Sequence, residues 1–230
     1  MSDTTQQRLS LAVSTVVFAL RPHLRTGRPT VWLPLVRRIR EPYEGLWALP
    51  GGPLEDDQDL AASARATLAR TTGLAPRYLE QLYAFGDVDR SPGDRVVSIV
   101  YWTLVRPDED AQAIDGENVE WFPADEVRGL AFDHDVIVRY ALDRLRAKIT
   151  YSPIAHAFLT DEFTLAQLRE VYEAVLGRRL DPANFRRQIL AQGTVEPTGR
   201  HLTGTSHRPP ALYRSNLARP RATLTIEETA

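Results

Sequence analysis

Four carboxylates lie close together in one short segment and are the first residues whose types could support chemistry. They are Glu55, Asp56, Asp57 and Asp59. Carboxylate oxygens are ligands that Mg²⁺ prefers, and a bound Mg²⁺ can polarise a phosphate and help to activate water. The stretch that follows, from Leu60 to Gly73, contains no carboxylate. We therefore favour a solvated loop, in which Asp57 or Asp59 caps the next helix, over a metal site.

The sequence around these acids predicts a strand, a loop and a helix. Residues Trp47 to Gly52 are predicted to form the end of a strand and a glycine turn. An alanine-rich helix then runs from about Asp59 to Thr72, and Gly73 follows its last turn. This layout resembles the Nudix box, G-x5-E-x7-R-E-U-x-E-E-x-G-U, in which U is a bulky aliphatic residue. The positions that fall on its frame without a gap are Gly52, Leu68, Gly73 and Leu74.

The residues that perform the chemistry in the Nudix family are replaced in this chain. At the acidic positions of the Nudix box this chain has Gln58, Thr67, Arg70 and Thr71, and at the arginine position it has Ala66. In an active Nudix enzyme the helix carboxylates share one face, where they hold Mg²⁺. Here that face offers two hydroxyls and a guanidinium, and Arg70 would repel a divalent cation. We therefore expect no catalytic residue, no bound metal and no cofactor.

Length and composition indicate a globular protein with room for two domains, because the chain has 230 residues, 43% of them hydrophobic and 25% charged. No apolar run approaches the ~20 residues of a membrane span. The absence of cysteine excludes a disulfide framework. The N-terminus lacks the basic start and small-residue cleavage site of a signal peptide. We expect a cytoplasmic protein without membrane contact.

The charges are distributed unevenly along the chain. Residues 1–150 contain 18 basic and 22 acidic residues, whereas residues 163–222 contain ten arginines and four acids. The C-terminal part therefore has a net charge of about +6 behind an acidic front part. This asymmetry favours a nucleic-acid partner for the C-terminal part.

Apolar runs in the first 150 residues predict strands around the helix, which fits an α/β/α sandwich of the Nudix type. These runs are Leu9–Leu20, Thr30–Val36, Tyr78–Phe85, Arg95–Val105 and Glu117–Phe122. A second helix is predicted from about Asp133 to Lys148. Its apolar face would comprise Ile137, Tyr140, Ala141, Leu145 and Ile149. His134 is a candidate metal or phosphate ligand, although we favour helix capping by the sequence Asp133-His134-Asp135.

The sequence Tyr151-Ser152-Pro153 predicts a boundary between domains spanning 1–150 and 151–222, and we expect a disordered tail at 223–230. Beyond the boundary, Thr164 and Gln167 form a capping-box pattern before a helix that ends at Gly177. A second helix begins after the N-cap sequence Asp181-Pro182 and ends at Gly193. Short strands at Thr194–Pro197 and Ala211–Ser215 flank a loop at Thr198–Pro210. This order is typical of a small winged helix-turn-helix domain.

The second of these helices would enter the major groove of DNA. Its residues Phe185, Ile189 and Leu190 can face the core. The predicted DNA-binding residues are Thr164, Asn184, Arg186, Arg187, Gln188, Arg200, His201 and Arg208. The alternative is a helix–hairpin domain that binds protein, with arginines that are merely solvated.

A Nudix domain without its acidic residues, followed by a winged helix, resembles the Nudix-related transcriptional regulators of the NrtR family. Besides the box, the resemblance rests on five short segments. They are Leu130-Ala131-Phe132-Asp133-His134, Phe163-Thr164-Leu165, Val171-Tyr172-Glu173, Asn184-Phe185-Arg186-Arg187 and Ala211-Leu212-Tyr213-Arg214. The resemblance implies a homodimeric repressor, mostly of genes for NAD biosynthesis, that binds an inverted-repeat operator in double-stranded DNA and senses ADP-ribose or a related nucleotide.

The same resemblance places the effector in the former substrate cleft. Arginines there could clamp a diphosphate and an aromatic side chain could stack on adenine. The predicted effector-binding residues are Arg37, Arg38, Glu44, Trp47, Gly52, Phe85, Arg90 and Arg95. For each arginine a surface ion pair is the alternative.

Two other functions stay open at this stage. The first is an active Nudix diphosphohydrolase that uses the loop acids to hold metal and carries a domain for RNA or substrate binding. The second is a scaffold without a ligand, which the two arginine-bearing loops disfavour. The effector, the operator and the regulated genes do not follow from the sequence.

Overall fold

A computed structural model describes residues 9–76, 78–110, 118–203 and 209–216. The elements in chain order are β1 (Leu9–Pro22), β2 (Pro29–Arg37), β3 (Trp47–Ala48), β4 (Gly51–Pro53), α1 (Leu60–Thr72), β5 (Glu80–Phe85), β6 (Arg95–Leu104), α2 (Pro107–Asp110), β7 (Val119–Pro123), α3 (His134–Tyr151), a 3₁₀ turn (Pro153–Phe158), α4 (Leu165–Leu176), α5 (Pro182–Gln192), β8 (Val195–His201) and β9 (Ala211–Ser215). Within these ranges no helix is long and apolar enough to cross a membrane.

The chain divides into two compact units. The first contains the chain up to Phe18, with Trp32–Val105 and Glu109–Ala141. The second contains Ala19–Val31, Arg106–Asp108 and the chain from Leu142 onward. Helix α3 therefore begins in the first unit and ends in the second.

A mixed sheet forms the framework of the first unit. Its strand order is β3-β2-β1-β6-β5, while β4 pairs with β1 and β7 pairs with β2. Strands β1 and β6 are parallel, with Leu9 opposite Arg95 and Phe18 opposite Leu104. The run from Val16 to Ala19 is buried at every position, as expected for a central strand that is covered on both faces.

Helix α1 packs against this sheet through its small residues. Ala64 forms a buried cluster with Val13 of β1 and Tyr101 of β6. Asp59 caps the helix by accepting a hydrogen bond from the backbone N–H of Ala62 at 2.7 Å. Gly73 ends it with a φ of 73°, a conformation that favours glycine. The predicted helix and both of its end signals are confirmed.

The second unit contains the predicted winged helix-turn-helix. Thr164 and Gln167 form the complete capping box at the start of α4. Tyr172 of α4 meets Phe185 of α5 edge to face, with ring centroids 5.3 Å apart. The hairpin of β8 and β9 continues this unit, and Tyr213 exchanges two backbone hydrogen bonds with Phe163. The fold class predicted from the sequence is confirmed.

Some details of the prediction are wrong. Tyr140 is 41% exposed and lies outside the buried face of α3. Its ring packs against those of Tyr83 and Phe85. Leu190 is 39% exposed, since Phe185 and Ile189 alone bury that side of α5. Strand β8 extends to His201, past a register shift, into the segment predicted as a loop. Arg208 and the predicted tail at 223–230 lie outside the described residues.

Candidate effector cavity and nucleic-acid interface

Three loops of the first unit enclose a cavity of about 500 Å³. One loop follows β2, the second joins β5 to β6, and the third precedes α3. The lining residues are Tyr43, Asp87, Val88, Asp89, Arg90, Phe132 and Asp133. The cavity thus combines aromatic surface, three carboxylates and one guanidinium, a set that suits a polar ligand with a flat ring or hydroxyl groups.

Arg90 is held inside the cavity wall by Asp133. Its Nε donates to Oδ2 of Asp133 at 3.0 Å and its Nη2 donates to Oδ1 at 2.7 Å. The side chains are only 4% and 17% exposed, respectively. Removing either partner would leave a buried charge, which is costly. Arg90, a predicted effector residue, therefore lines the cavity while its Nε and Nη2 donors are paired with a carboxylate 43 residues away.

Arg38 lies over the ring of Phe132, with its guanidinium carbon 4.6 Å from the ring centroid. Its Nε donates to the carbonyl oxygen of Pro42 at 2.7 Å. Burial lowers the pKa of Arg38, and Glu41 opposes that shift by attraction. Tyr43 meets Phe132 edge to face at 5.0 Å. One predicted arginine thus lies against the aromatic wall of the cavity.

Two cavity residues adopt a backbone conformation that is rare for side-chain-bearing residues. Tyr43 has a φ of 67° and Phe132 a φ of 57°. Each such residue costs about 1–3 kcal/mol, and residues of this kind cluster at ligand sites. Among the described residues other than glycine, these are the two with positive φ, and both line the cavity.

His134 ties the start of α3 to the glycine turn. Its Nδ1 accepts a hydrogen bond from the backbone N–H of Leu49 at 3.0 Å. Burial lowers the pKa of His134 to about 3, with the attraction of Asp133 opposing that shift and the repulsion of Arg90 adding to it. The imidazole is therefore neutral near pH 7. The carboxylate of Asp135 accepts from the backbone N–H of Leu130 at 2.8 Å.

The capping expected of Asp133-His134-Asp135 stays a prediction, and the three side chains bond to other segments: Arg90, Leu49 and Leu130. What they do is fasten the first turn of α3 to the loops around the cavity and to the glycine turn.

The remaining predicted effector residues are not among those that line the cavity. Arg37 donates to the carbonyl of Gly45 at 3.2 Å, and Arg95 donates to the carbonyl of Asp87 at 3.2 Å. Trp47 packs edge to face on Phe122. Phe85 lies in the ring cluster with Tyr83 and Tyr140, and Glu44 is exposed.

The former catalytic face of α1 carries hydroxyls and a guanidinium. Nη2 of Arg70 lies 3.4 Å from Oγ1 of Thr67, and Thr71 donates to the carbonyl of Thr67 at 2.8 Å. A Cβ built on Gly52 would meet Arg70 and Thr67 at 3.9 and 4.0 Å. No group of three His, Cys, Asp or Glu side chains that could hold a metal occurs in the described ranges.

Sequence reasoning missed six of the residues that line the cavity: Tyr43, Asp87, Val88, Asp89, Phe132 and Asp133. A signal was present, since Phe132 and Asp133 lie in one of the segments that carry the family resemblance. The place of Asp133 in the cavity could not be inferred because it meets Arg90 only through the fold.

Helix α5 presents a polar surface opposite its buried residues. Arg186 and Arg187 are exposed, whereas Phe185 and Ile189 are buried. Nη2 of Arg187 donates to Oδ1 of Asn184 at 2.7 Å. Guanidinium and amide groups are those that read base edges in the major groove, so the exposed side of α5 has the composition expected of a recognition helix.

The other predicted DNA contacts have different surroundings. Thr164 is only 4% exposed, and its hydroxyl accepts from the backbone N–H of Gln167 at 3.2 Å. We therefore correct its role from a DNA contact to a helix cap. Arg200 forms an ion pair with Glu162, and His201 is exposed on the hairpin.

Comparisons with known proteins assign two successive parts of the chain to known domains. The Nudix domain model matches residues 11–145, and the model of the NrtR DNA-binding winged helix domain matches residues 155–215. The ADPR responsive transcriptional repressor NtrR of Acinetobacter baylyi is 35% identical over 185 residues, covering 78% of this chain and 74% of that protein. The chain belongs to the NrtR family.

Solved structures of NrtR support the same assignment. NrtR of Shewanella oneidensis is 31% identical, with a TM-score of 0.77 over 90% of this chain and 94% of that chain. The same NrtR in complex with a 27mer DNA gives a TM-score of 0.75 at 30% identity, over 90% and 93%. Its Nudix domain in complex with ADP ribose gives 0.51 at 29% identity, over 63% of this chain and 94% of that chain.

One curated relative of this NrtR-family chain is an enzyme. The ADP-ribose pyrophosphatase of Methanocaldococcus jannaschii is 31% identical over 105 residues. This match covers 46% of the present chain and 62% of that protein.

Proposed function

We propose that this protein is a DNA-binding transcriptional repressor whose Nudix unit, residues 1–150, senses ADP-ribose or a related nucleotide. Residues 151–222 bind the operator. The observation that carries the proposal is the pairing of a Nudix fold whose helix α1 has no carboxylate with a helix α5 that exposes Arg186 and Arg187. Repression acts on DNA, so the protein works in the cytoplasm.

The Nudix unit acts as a sensor and does not hydrolyse its ligand. The positions that hold acids in the active family hold Gln58, Thr67, Arg70 and Thr71, and the side chains of Arg70 and Thr67 lie 3.4 Å apart. A guanidinium at this place repels Mg²⁺. Without the metal, a diphosphate can bind but lacks the activated water that hydrolysis needs.

The nucleotide binds in and around the cavity. Arg38, stacked on Phe132, neutralises phosphate charge, and the ring of Tyr43 offers a surface for a base. Arg37, Glu44, Trp47, Gly52, Phe85 and Arg95 complete the proposed site. Binding regulates only because the ligand has different affinities for the DNA-competent and DNA-incompetent states.

The protein binds DNA as a homodimer on an inverted repeat. One recognition helix reads only a few base pairs, so two helices related by a two-fold axis give the needed specificity, with half-sites about one helical turn apart or a multiple of it. Asn184, Arg186, Arg187 and Gln188 contact the groove. Arg200, His201 and Arg208 of the hairpin contact backbone or minor groove.

The experiment is a gel-shift titration with DNA from upstream of the protein's own operon, against a shuffled duplex of equal length. We expect preferential binding by two protomers, at footprints in both arms of an inverted repeat. Equal affinity for both duplexes, together with binding of structured RNA or release of product from ADP-ribose, would instead favour the hydrolase with a nucleic-acid appendage.

A further inference from the structure

Asp133 belongs to two features of the fold: it lines the cavity, and its backbone begins α3. Its carboxylate holds Arg90 with bonds of 3.0 and 2.7 Å. Its backbone carbonyl accepts from the N–H groups of Val136 at 2.9 Å and Ile137 at 3.1 Å, the first bonds of the helix. A displacement of the Asp133 side chain therefore acts directly on the first turn of α3.

The chemistry of this pair allows an exchange of anions. A guanidinium binds phosphate with the same two-pronged geometry as it binds a carboxylate. Both Arg90 and Asp133 line the cavity, so a phosphate of the ligand can reach the fork of Arg90. If a phosphate takes the place of the carboxylate, Arg90 keeps an anionic partner, whereas the displaced carboxylate of Asp133, which is 17% exposed, must turn toward solvent to avoid a costly unpaired charge.

The rest of the cavity determines where the phosphate goes. Asp87 and Asp89 also line it and would repel a phosphate, whereas their carboxylates suit the hydroxyl groups of a ribose. Arg38 lies beside Phe132, the residue that precedes Asp133. Arg90 is thus the cationic group that lines this pocket, and Arg38 lies next to it against the ring of Phe132.

Helix α3 offers a path from the exchange to the second unit. Its residues from Leu142 to Tyr151 fall in the second compact unit and precede residues 155–215, which the winged helix model matches, whereas its first turn is fastened to the cavity loops. Besides Asp133, the fastening includes His134 to Leu49 at 3.0 Å and Asp135 to Leu130 at 2.8 Å. One continuous helix therefore starts at the cavity loops and ends just before the winged helix domain.

We propose that the effector is sensed by ion-pair exchange: a phosphate group of the nucleotide replaces the carboxylate of Asp133 on Arg90, and the released Asp133 shifts α3 toward the DNA-incompetent state. Arg90 is then a direct ligand of the phosphate, and Asp133 is the group with which the phosphate competes. The inference rests on the proposed function, because it explains how the same site regulates DNA binding.

The test uses the full-length protein with Asp133→Asn, which keeps the shape of the side chain and removes the competing charge. Calorimetry with ADP-ribose and anisotropy with the operator duplex are measured for each protein. We expect ADP-ribose to bind about tenfold more tightly, within the usual range of coupling between sites, and the ligand-free variant to bind operator more weakly. Inorganic pyrophosphate should compete with ADP-ribose in both proteins.

Two further variants control this experiment. Asp143→Asn changes the same charge on α3, where Asp143 is exposed and lies 3.9 Å from Arg146, and it should leave both affinities unchanged. Arg90→Lys keeps the positive charge but cannot form two parallel bonds, so ADP-ribose affinity should fall about tenfold. This second variant decides the matter if Asp133→Asn does not fold.

The outcomes separate the two proposals. If wild type binds neither ADP-ribose nor operator, the proposed function fails. If wild type binds both, but Asp133→Asn binds ADP-ribose no more tightly than wild type, the pair is only a structural fastening and the exchange is refuted. Wild-type affinity for ADP-ribose in Arg90→Lys would refute it as well.

Discussion

Arg187 donates a hydrogen bond from Nη2 to Oδ1 of Asn184, 2.7 Å away, across one turn of α5. The bond orders two side chains on the polar surface of a helix whose other side buries Phe185 and Ile189. Side chains that are ordered before binding lose less entropy when they reach a base or phosphate. This arrangement leads to the first prediction.

Replacing Arg186 or Arg187 with alanine should weaken operator binding while ADP-ribose binding survives. A base-edge contact should cost about 1–3 kcal/mol and relax the preference at one base position, whereas a phosphate contact should lower affinity for every sequence and reduce the salt dependence. Gel-shift titrations at several salt concentrations distinguish the two. Arg65→Ala, an exposed arginine on α1, is the control for loss of charge. Wild-type affinity in both mutants would mean that α5 is not the recognition helix.

Thr164→Ala should destabilise the second unit by about 1 kcal/mol, because it removes the N-cap of α4. Thr164→Ser keeps a hydroxyl at the cap and should recover most of that loss. Urea unfolding measures the stability, and anisotropy under native conditions should show operator affinity close to wild type for both. A large loss of affinity in the serine variant at unchanged stability would restore Thr164 as a DNA contact.

The protein should release no product from ADP-ribose with Mg²⁺ or Mn²⁺. The reason is the absence of carboxylates from Leu60 to Gly73. Chromatography of long incubations against a buffer blank is the measurement. Turnover at even ~1 s⁻¹, the low end for ordinary enzymes, would favour the hydrolase, provided that Glu55→Gln or Asp57→Asn abolished it.

ADP-ribose should stabilise the protein without metal, since arginines and not Mg²⁺ neutralise the diphosphate. At ligand ~100 times the dissociation constant, linkage gives roughly 2.7 kcal/mol of stabilisation. Melting curves with EDTA and with Mg²⁺ should coincide. A shift that appears only with Mg²⁺ would point to the acidic loop at Glu55–Asp59.

The free energy of unfolding should fall as the pH drops from about 6.5 toward 3. Burial lowers the pKa of His134 from 6.5 to about 3 and that of His156 from 6.5 to about 4 in the folded state. The unfolded state therefore takes up these protons first, and stability present above pH 6.5 is lost on acidification. In His134→Asn, whose side-chain oxygen can still accept from Leu49, urea titrations should give a smaller loss over this range. An unchanged pH dependence would mean that His134 is not buried in its neutral form.

The local elements could be predicted because their signals lie within a few residues of each other. The capping box of Thr164 and Gln167 and the stop at Gly73 depend on neighbouring backbone alone, and the structure has both. The absence of carboxylates from α1 is likewise visible in the sequence.

The cavity could not be predicted because its contacts join distant segments. From the sequence, Arg90 could be either an effector contact or half of an ion pair, and its partner Asp133 lies 43 positions away. Tyr140 fitted the apolar period of α3, yet it is 41% exposed and its ring contacts those of Tyr83 and Phe85, which lie on a different segment. The left-handed backbone of Tyr43 and Phe132 has no sequence signal, because glycine is the residue that marks this conformation.

The central claim is that nucleotide binding in the Nudix unit controls DNA binding. The most direct measurement is fluorescence anisotropy of a complex between the full-length protein and the duplex from upstream of its operon, titrated with ADP-ribose in EDTA. We predict that the duplex is released at ADP-ribose concentrations near the dissociation constant measured by calorimetry, and that AMP releases less. A complex that persists at ADP-ribose concentrations saturating the free protein would contradict the account.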